Sequence, residues 1–274
     1  MAETARFPLI LEPEALEERL GEENLIIVDL SGSKVHARYH IPGAVHLGYG
    51  EIVARRDPVG GLLPEETQLS QAMSAIGLTP ETHVVAYDDE GGGKAARLLW
   101  TFDSIGHRAY SLLNGGLHAW ANEVHPLTDR PTEPRRSDYR ARVDPQSTAL
   151  ATCDYILEHL DDPSVALLDA RSPEEYRGLR RYSARAGHIP GAVNMDWVNG
   201  MDQNRNLRLR DAAALTKELN ALGVTPEKTV VTYCQTHHRS AYSYVMLKWL
   251  GFPSVKGYAG SWSEWGNRDD TPVE

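Results

Sequence analysis

Short apolar runs alternate with longer segments of helical periodicity along the whole chain. The runs that have the length and the branched apolar side chains of buried strands are 25–28, 83–87, 165–168 and 229–233. The segments in which apolar residues recur with the period of a helix are 65–76, 94–104, 211–222 and 239–250. Strands that alternate with helices in this way predict an α/β fold, in which helices flank a mainly parallel sheet.

The second half of the chain repeats motifs of the first half. Three blocks recur in the same order: 40–45 at 188–193, 77–87 at 223–233, and 115–120 at 260–265. The first block, His-Ile-Pro-Gly-Ala-Val, is identical in both copies. The distance between the copies is far longer than a solenoid repeat of roughly 20–50 residues. The sequence therefore predicts a duplicated α/β domain, with each copy of ordinary single-domain size.

Between the two copies lies a stretch rich in proline and in charged or short polar residues. Its prolines are Pro126, Pro131, Pro134 and Pro145. This composition favours an extended linker with little structure of its own. We therefore expect a first domain at 1–125, a linker at 126–147 and a second domain at 148–274.

The composition narrows the classes of protein to which the chain can belong. It has 274 residues, 41% hydrophobic content, a mean hydropathy of -0.42 and a formal net charge of -10. No apolar stretch approaches the ~18 residues of a membrane span, and no basic and apolar leader opens the chain. The negative charge disfavours nucleic acid or an anionic membrane as the main partner. Two cysteines cannot build a disulfide framework, so we expect a cytoplasmic protein. We also expect the protein to be a monomer.

The candidate chemistry lies in the segment Cys234-Gln235-Thr236-His237-His238-Arg239. It connects the predicted strand 229–233 to the predicted helix 239–250. A loop at the start of a helix directs backbone N–H groups at an anion. The same place lowers the pKa of a thiol from about 8.5 towards roughly 3.5–7.5. The segment thus predicts a nucleophilic cysteine that acts on an anionic substrate, whereas Cys153 is expected to be structural.

The first copy has a different loop at the equivalent place. After Tyr87 it reads Asp88-Asp89-Glu90-Gly91-Gly92-Gly93-Lys94. Its three carboxylates cannot supply a thiolate, and they would repel an anion. Its glycines do not have the spacing of a phosphate-binding loop, which needs Gly at position 88 and Ser or Thr at position 95. We therefore expect the first domain to be catalytically silent.

These motifs resemble those of the tandem rhodanese family, the thiosulfate sulfurtransferases. The matching segments are Asp169-Ala170-Arg171, 187–193, the cysteine loop and 260–265. The cysteine loop is similar to that of the azotobacter-type bacterial rhodaneses. The resemblance covers nearly the whole chain, and it implies two homologous α/β domains with the active cysteine only in the second.

The resemblance also implies a reaction and the residues that take part in it. Cys234 would take the outer sulfur of thiosulfate, release sulfite and hold a persulfide until cyanide or a cellular thiol accepts the sulfur. The residues expected to bind the anionic donor are Gln235, Thr236, His237, His238 and Arg239. Asp169 and Arg171 are expected to support the site. Apart from the covalent persulfide, no cofactor or metal is expected.

Three other activities are weighed against this one. A 3-mercaptopyruvate sulfurtransferase is disfavoured because Glu175 replaces its usual arginine and would oppose a carboxylate donor. A cysteine-dependent phosphatase is disfavoured because it needs a longer spacing than the four residues between Cys234 and Arg239. A persulfide carrier that delivers sulfur to a partner protein would share the same loop, and the sequence does not separate it from an enzyme.

Overall fold

The structure, a computed structural model, describes residues 6–144 and 146–274. Its strands are β1 (Ile10–Leu11), β2 (Leu25–Asp29), β3 (Val45–His46), β4 (Ala54–Arg56), β5 (Val59–Leu62), β6 (His83–Tyr87), β7 (Tyr110–Leu113), β8 (Leu150–Ala151), β9 (Val165–Asp169), β10 (Val193–Asn194), β11 (Met201–Asp202), β12 (Arg208–Leu209), β13 (Thr229–Tyr233) and β14 (Val255–Tyr258). Its α-helices are α1 (Pro13–Glu17), α2 (Ser33–Arg38), α3 (Glu66–Ala75), α4 (Gly93–Ser104), α5 (Gly116–Asn122), α6 (Cys153–Glu158), α7 (Pro173–Tyr176), α8 (Ala212–Ala221), α9 (Arg239–Trp249) and α10 (Ser261–Trp265). Across this part of the chain, no helix is both long enough and apolar enough to span a membrane.

The predicted α/β fold is confirmed. Every strand and helix predicted from the apolar pattern is present, with its ends shifted by no more than one residue. Strands β2 and β9 each run one residue beyond the apolar run, to the fully buried carboxylates of Asp29 and Asp169. Short strands such as β1 and β3, at the sheet edges, carry too few residues for a periodic pattern to reveal them.

The described residues form two compact units, each built on a five-stranded parallel sheet. The strand order is β1-β7-β6-β2-β3 in the first unit and β10-β9-β13-β14-β8 in the second. The strands are parallel within each sheet, and helices connect successive long strands, as parallel pairing requires. The strand before the cysteine loop, β13, lies at the centre of its sheet.

Each unit contains a two-stranded hairpin from the other half of the sequence. The antiparallel pair β4–β5 belongs to the second unit, and the antiparallel pair β11–β12 belongs to the first. Among the described residues, the first unit is therefore made of 6–52, 64–144 and 201–209, and the second of 53–63, 146–200 and 210–274. The domain boundaries expected from the sequence are continuous ranges, so they do not include these two hairpin segments.

The repeated sequence blocks make the same contacts in both units. The buried hydroxyl of Tyr87 accepts the backbone N–H of Ile41 at 3.1 Å, and that of Tyr233 accepts the N–H of Ile189 at 3.3 Å. Each tyrosine ends a long strand and belongs to the hydrophobic core of its unit. A buried tyrosine with a paired hydroxyl fixes the identical His-Ile-Pro-Gly-Ala-Val block against the sheet.

Within the expected linker, residues 137–143 run along helix α3. The backbone N–H groups of Tyr139 and Ala141 donate to the hydroxyls of Ser74 and Ser70, each at 3.0 Å. Serine side chains of helix α3 thus supply hydrogen bonds that a neighbouring strand would have supplied. Pro145 lies outside the described residues.

Candidate active site

Cys234 follows the last residue of β13, at the carboxyl end of the central strand of the second unit. Its side chain is a free thiol and is almost fully buried. Helix α9 begins five residues later, at Arg239. The short loop between them places the sulfur at the edge where ligands bind in parallel α/β sheets.

Backbone and side-chain donors converge on the sulfur of Cys234. The sulfur accepts hydrogen bonds from the backbone N–H groups of Thr236 and Ser240 and from the hydroxyl of Ser240, and it lies in the field of the Arg239 guanidinium. Burial by itself would raise the pKa of the thiol. The Arg239 charge and the three hydrogen bonds outweigh it, so the pKa of Cys234 lies below its ordinary value.

The loop is held in this shape by the start of helix α10. The hydroxyl oxygen of Ser261 accepts the N–H groups of Cys234 at 3.3 Å and of His237 at 3.0 Å. The N–H of Trp262 donates to the Cys234 carbonyl at 2.9 Å, and the N–H of Ser263 donates to the Gln235 carbonyl at 2.9 Å. These bonds fix the loop before any substrate binds, so its donors need no reorganisation during the reaction.

His237 lies inside the loop and is fully buried, with φ at +51°. Its Nδ1 is 2.7 Å from the hydroxyl oxygen of Ser240. The tautomer that carries its proton on Nδ1 donates to this hydroxyl and leaves the hydroxyl proton for the Cys234 sulfur. The ring thus orients the serine that faces the sulfur. The neighbouring ring of His238 is tilted against Trp197, with the ring centroids 5.7 Å apart.

Arg239 forms a two-pronged ion pair with Glu175. Its two terminal nitrogens lie 2.6 Å and 2.8 Å from the two carboxylate oxygens. Burial would raise the pKa of Glu175, but the hydrogen bonds and charge of Arg239 hold that pKa below its usual value. Glu175, which the sequence marked only as an obstacle to a carboxylate donor, is therefore the counter-ion of the arginine beside Cys234.

Asp169 and Arg171 make a buried pair at the end of β9. The guanidinium NH2 group of Arg171 lies 2.6 Å from the carboxylate of Asp169 and also donates to the Gly187 carbonyl at 2.8 Å. The same guanidinium stacks over the ring of Trp262, 4.5 Å from its centroid. Trp262 in turn donates to the Cys234 carbonyl, so the pair contacts a residue that is bonded to the cysteine loop, and neither Asp169 nor Arg171 lines the cavity.

A cavity of about 570 Å³ opens over the loop within the second unit. The residues that line it are Arg55, Pro58, Gly60, Ser172, Glu175, Arg180, Tyr182, Gln235, Thr236, Arg239, Ser263 and Asn267. Of the five expected donor-binding residues, Gln235, Thr236 and Arg239 therefore reach the cavity. His237 and His238 are not among its lining residues.

One wall of the cavity comes from the hairpin β4–β5. The N–H of Gly60 donates to the Ser263 hydroxyl at 3.1 Å. Gly61, at φ +75°, approaches the cysteine loop so closely that an added Cβ would lie 2.0 Å from the Thr236 carbonyl oxygen. Only glycine fits this position, because both the backbone conformation and the contact exclude a side chain.

The sequence did not reveal several residues of this site. Ser240 lies in the first turn of a predicted helix, where its sequence gives no sign of a contact with Cys234. Ser261 lies in a motif whose tryptophans suggest only packing. The glycine pair at positions 60 and 61 was visible as a turn signal, but nothing local shows that this hairpin packs on a loop far away in sequence. Such contacts depend on the tertiary fold.

The model of the Rhodanese-like domain matches residues 12–123 and 152–268. The thiosulfate sulfurtransferase of Azotobacter vinelandii is 46% identical over 274 residues, with 100% of both chains covered. The thiosulfate sulfurtransferase of Pseudomonas aeruginosa is 45% identical over 267 residues, with 97% of both chains covered. The anaerobic ergothioneine biosynthesis enzyme of Chlorobium limicola shares the fold, with a TM-score of 0.85 at 22% identity, over 97% of this chain and 70% of its own.

Proposed function

Because this chain belongs to the family of proteins built from rhodanese-like domains, we propose that it is a thiosulfate sulfurtransferase that carries sulfur on Cys234. The observation that carries the proposal is the buried thiol in a loop of inward-facing donors, with its pKa below the ordinary value. A thiolate is the form of cysteine that attacks sulfur. The two relatives covered over nearly their full length support thiosulfate as the donor.

In the first half-reaction, the Cys234 thiolate attacks the outer sulfur of thiosulfate. A bond forms between the two sulfurs, and the bond from the outer sulfur to the sulfonate sulfur breaks. Its electron pair leaves with sulfite, and Cys234 remains as an anionic persulfide. The loop N–H groups and the Ser240 hydroxyl stabilise the negative charge before and after this step.

In the second half-reaction, a nucleophilic acceptor attacks the outer sulfur of the persulfide. Cyanide leaves as thiocyanate, or a thiolate leaves as a persulfide, and the electron pair of the broken sulfur–sulfur bond returns to Cys234. The resting thiolate is restored with no net oxidation or reduction. This covalent cycle accounts for both half-reactions without a metal or an added cofactor.

Gln235, Thr236 and Arg239 are positioned to bind the sulfonate end of the donor, because they belong to the cysteine loop and line the cavity that opens over it. Arg239 provides a permanent charge, and Gln235 and Thr236 provide neutral donors. The buried Asp169–Arg171 pair and the His237–Ser240 contact would hold the cysteine loop and its donors in position. A cycle that depends on a free thiol operates best in the reducing cytoplasm.

Mass spectrometry of the intact protein tests the proposal. The wild type and Cys234→Ser are first stripped with cyanide, then treated with thiosulfate, and cyanide is added again. We expect the wild type alone to gain one sulfur atom and to lose it as thiocyanate. Cys153→Ser serves as the matched control and should behave like the wild type. A gain with 3-mercaptopyruvate but not with thiosulfate would assign the alternative donor, and no adduct from either would refute sulfur transfer through Cys234.

A further inference from the structure

The second unit has a segment beside the active site that the first unit lacks. In the first unit the rings of His36 and His40 stack with centroids 4.0 Å apart, and in the second the rings of Tyr176 and His188 stack at 3.7 Å. These equivalent pairs are separated by residues 37–39 in the first unit and by residues 177–187 in the second. The longer segment belongs to the copy that carries the cysteine.

This segment is fixed to the active site at several points. Its Ser183 hydroxyl donates to the Trp262 carbonyl at 3.1 Å and accepts the side-chain amide of Gln235, also at 3.1 Å. The N–H of Ala184 donates to the Asn267 side chain at 2.7 Å. The N–H of Arg180 donates to the Glu174 carbonyl at 3.1 Å. The stretch 177–182 is therefore a surface held in place at both ends and joined to the cysteine loop.

The surface formed by residues 177–182 is both basic and apolar. Arg177, Arg180 and Arg181 are exposed, in a chain whose formal net charge is -10. Leu179 and Tyr182 are 75% and 62% exposed, although large apolar side chains are normally covered. Arg180 and Tyr182 also line the cavity over the cysteine loop, together with Gln235, Thr236 and Arg239. The surface thus begins at the mouth of the active site.

We propose that the surface 177–182 docks the sulfur acceptor, and that this acceptor is a thiol carried by an acidic polypeptide segment. The inference rests on the proposed sulfurtransferase function. The arginines match negative charge on the partner and speed its encounter with an otherwise negative protein. Leu179 and Tyr182 offer apolar contact that a small inorganic anion cannot use, whereas a polypeptide can bury it.

The transfer step follows the second half-reaction. The thiolate of the docked segment attacks the outer sulfur of the Cys234 persulfide. A new sulfur–sulfur bond forms on the acceptor, the bond to the Cys234 sulfur breaks, and its electron pair returns to Cys234. The acceptor departs as a persulfide, and atoms and electrons balance without another reactant.

The test compares synthetic peptides that carry one cysteine among acidic, neutral or basic residues. The persulfide form of the protein is prepared with thiosulfate, verified by mass, and its loss to each peptide is timed at low and high salt. For the wild type we expect the acidic peptide to react at least about tenfold faster than the basic one at low salt, with the difference shrinking as salt is added.

Two variants locate the effect. Arg177→Glu with Arg181→Glu should lower the rate with the acidic peptide by about tenfold or more and favour the basic peptide. Leu179→Ser should lower the rate with the acidic peptide by about three- to tenfold through lost apolar contact. Transfer to cyanide should stay within about twofold in both, because neither variant touches the cavity lining. The matched control, Arg135→Glu with Arg136→Glu, makes the same change of charge on the first unit.

Equal rates with all peptides, or equal effects of the test and control variants, would overturn the docking surface. So would an equal loss of the cyanide reaction, since the arginines would then only steer small anions. Failure to load sulfur from thiosulfate would instead contradict the proposed function. In that case the persulfide is made with a polysulfide, and the peptide comparison still decides the docking proposal.

Discussion

The loops that follow β6 and β13 have the same architecture and opposite chemistry. In the second unit, N–H groups of Thr236 and Ser240 point at the sulfur of Cys234. In the first, the buried carboxylate of Asp88 stands in place of the sulfur. Its oxygens accept the loop N–H groups of residues 90, 92 and 95 at 3.0, 2.8 and 2.9 Å. The loop of the first unit therefore keeps the ring of donors and fills it with a carboxylate of its own.

The two loops also differ in the charges that act on their central side chains, Asp88 and Cys234. In the first unit, burial and then the charge of Glu90 raise the pKa of Asp88, despite its three N–H donors. In the second, the charge of Arg239 and the hydrogen bonds from Ser240 and Thr236 together outweigh burial and lower the pKa of Cys234. Inward-facing N–H groups are thus a property of the fold, which duplication preserved in both copies. A reactive anion needs a thiol and a neighbouring cation in addition.

The largest change in free energy is expected when the Asp88 carboxylate is removed from the loop of the first unit. Asp88→Ala removes the carboxylate that accepts three loop N–H groups, two of them buried, and an unpaired buried group costs about 1–3 kcal/mol. We expect a loss of about 3–5 kcal/mol in the free energy of unfolding, measured by urea denaturation. Asp88→Asn, which keeps one acceptor oxygen, should lose less. Equal stability of all three proteins would show that water or a loop shift replaces the carboxylate.

The same variants have a predictable pH dependence. Because the pKa of Asp88 is raised in the folded protein, its stabilising contribution is complete below the ordinary aspartate pKa of about 3.9 and falls as the pH rises through the folded value. The stability advantage of the wild type over Asp88→Asn should therefore shrink from acidic towards neutral pH. An advantage that grows with pH would mean that the N–H donors outweigh burial and Glu90.

A smaller change in free energy is expected when the hydroxyl of Ser240, a side-chain donor to the Cys234 sulfur, is removed. Ser240→Ala removes a hydrogen bond to the thiolate, worth about 1.5–3 kcal/mol for a charged acceptor. Loss of a donor to the charged form favours the protonated thiol, so the pKa of Cys234 should rise by about 1–2 units. The pH profile of Cys234 alkylation by iodoacetamide, after cyanide treatment, measures it. Ser243→Ala, a buried serine on the same helix, is the control.

An unchanged alkylation profile in Ser240→Ala would assign the lowered pKa to the N–H groups and Arg239 alone. The Ser240 contact with His237 would then be a packing contact only. A profile shifted equally by Ser243→Ala would point to a general loosening of helix α9.

The sequence alone predicted the features that depend on local periodicity and on the internal repeat. The apolar runs located β2, β6, β9 and β13, and the block comparison identified the loop at Cys234 and its silent equivalent. The exchanged hairpins and the ion pair between Glu175 and Arg239 could not be predicted, because they join segments far apart in the chain. Their side chains follow no period, and only the folded sheets bring them together.

The smallest change in free energy is expected when Glu175, the counter-ion of Arg239, loses its charge. In the silent loop the equivalent cation, Lys94, lies 3.0 Å from Asp89 and 3.4 Å from Glu90, so both copies neutralise the cation beside the loop. Glu175→Gln keeps an acceptor for Arg239 but removes the negative charge. More of the Arg239 charge then acts on the cavity and the sulfur.

For Glu175→Gln we expect KM for thiosulfate to fall by about three- to tenfold, and the pKa of Cys234 to fall by less than about one unit. Steady-state kinetics and the alkylation profile measure the two, and Glu174→Gln is the exposed neighbouring control. A rise in KM would show that Glu175 acts mainly by aiming Arg239. A fall would mean that Glu175 lowers the affinity of the second unit for its anionic donor by pairing with Arg239, as Asp89 and Glu90 pair with Lys94 in the first unit.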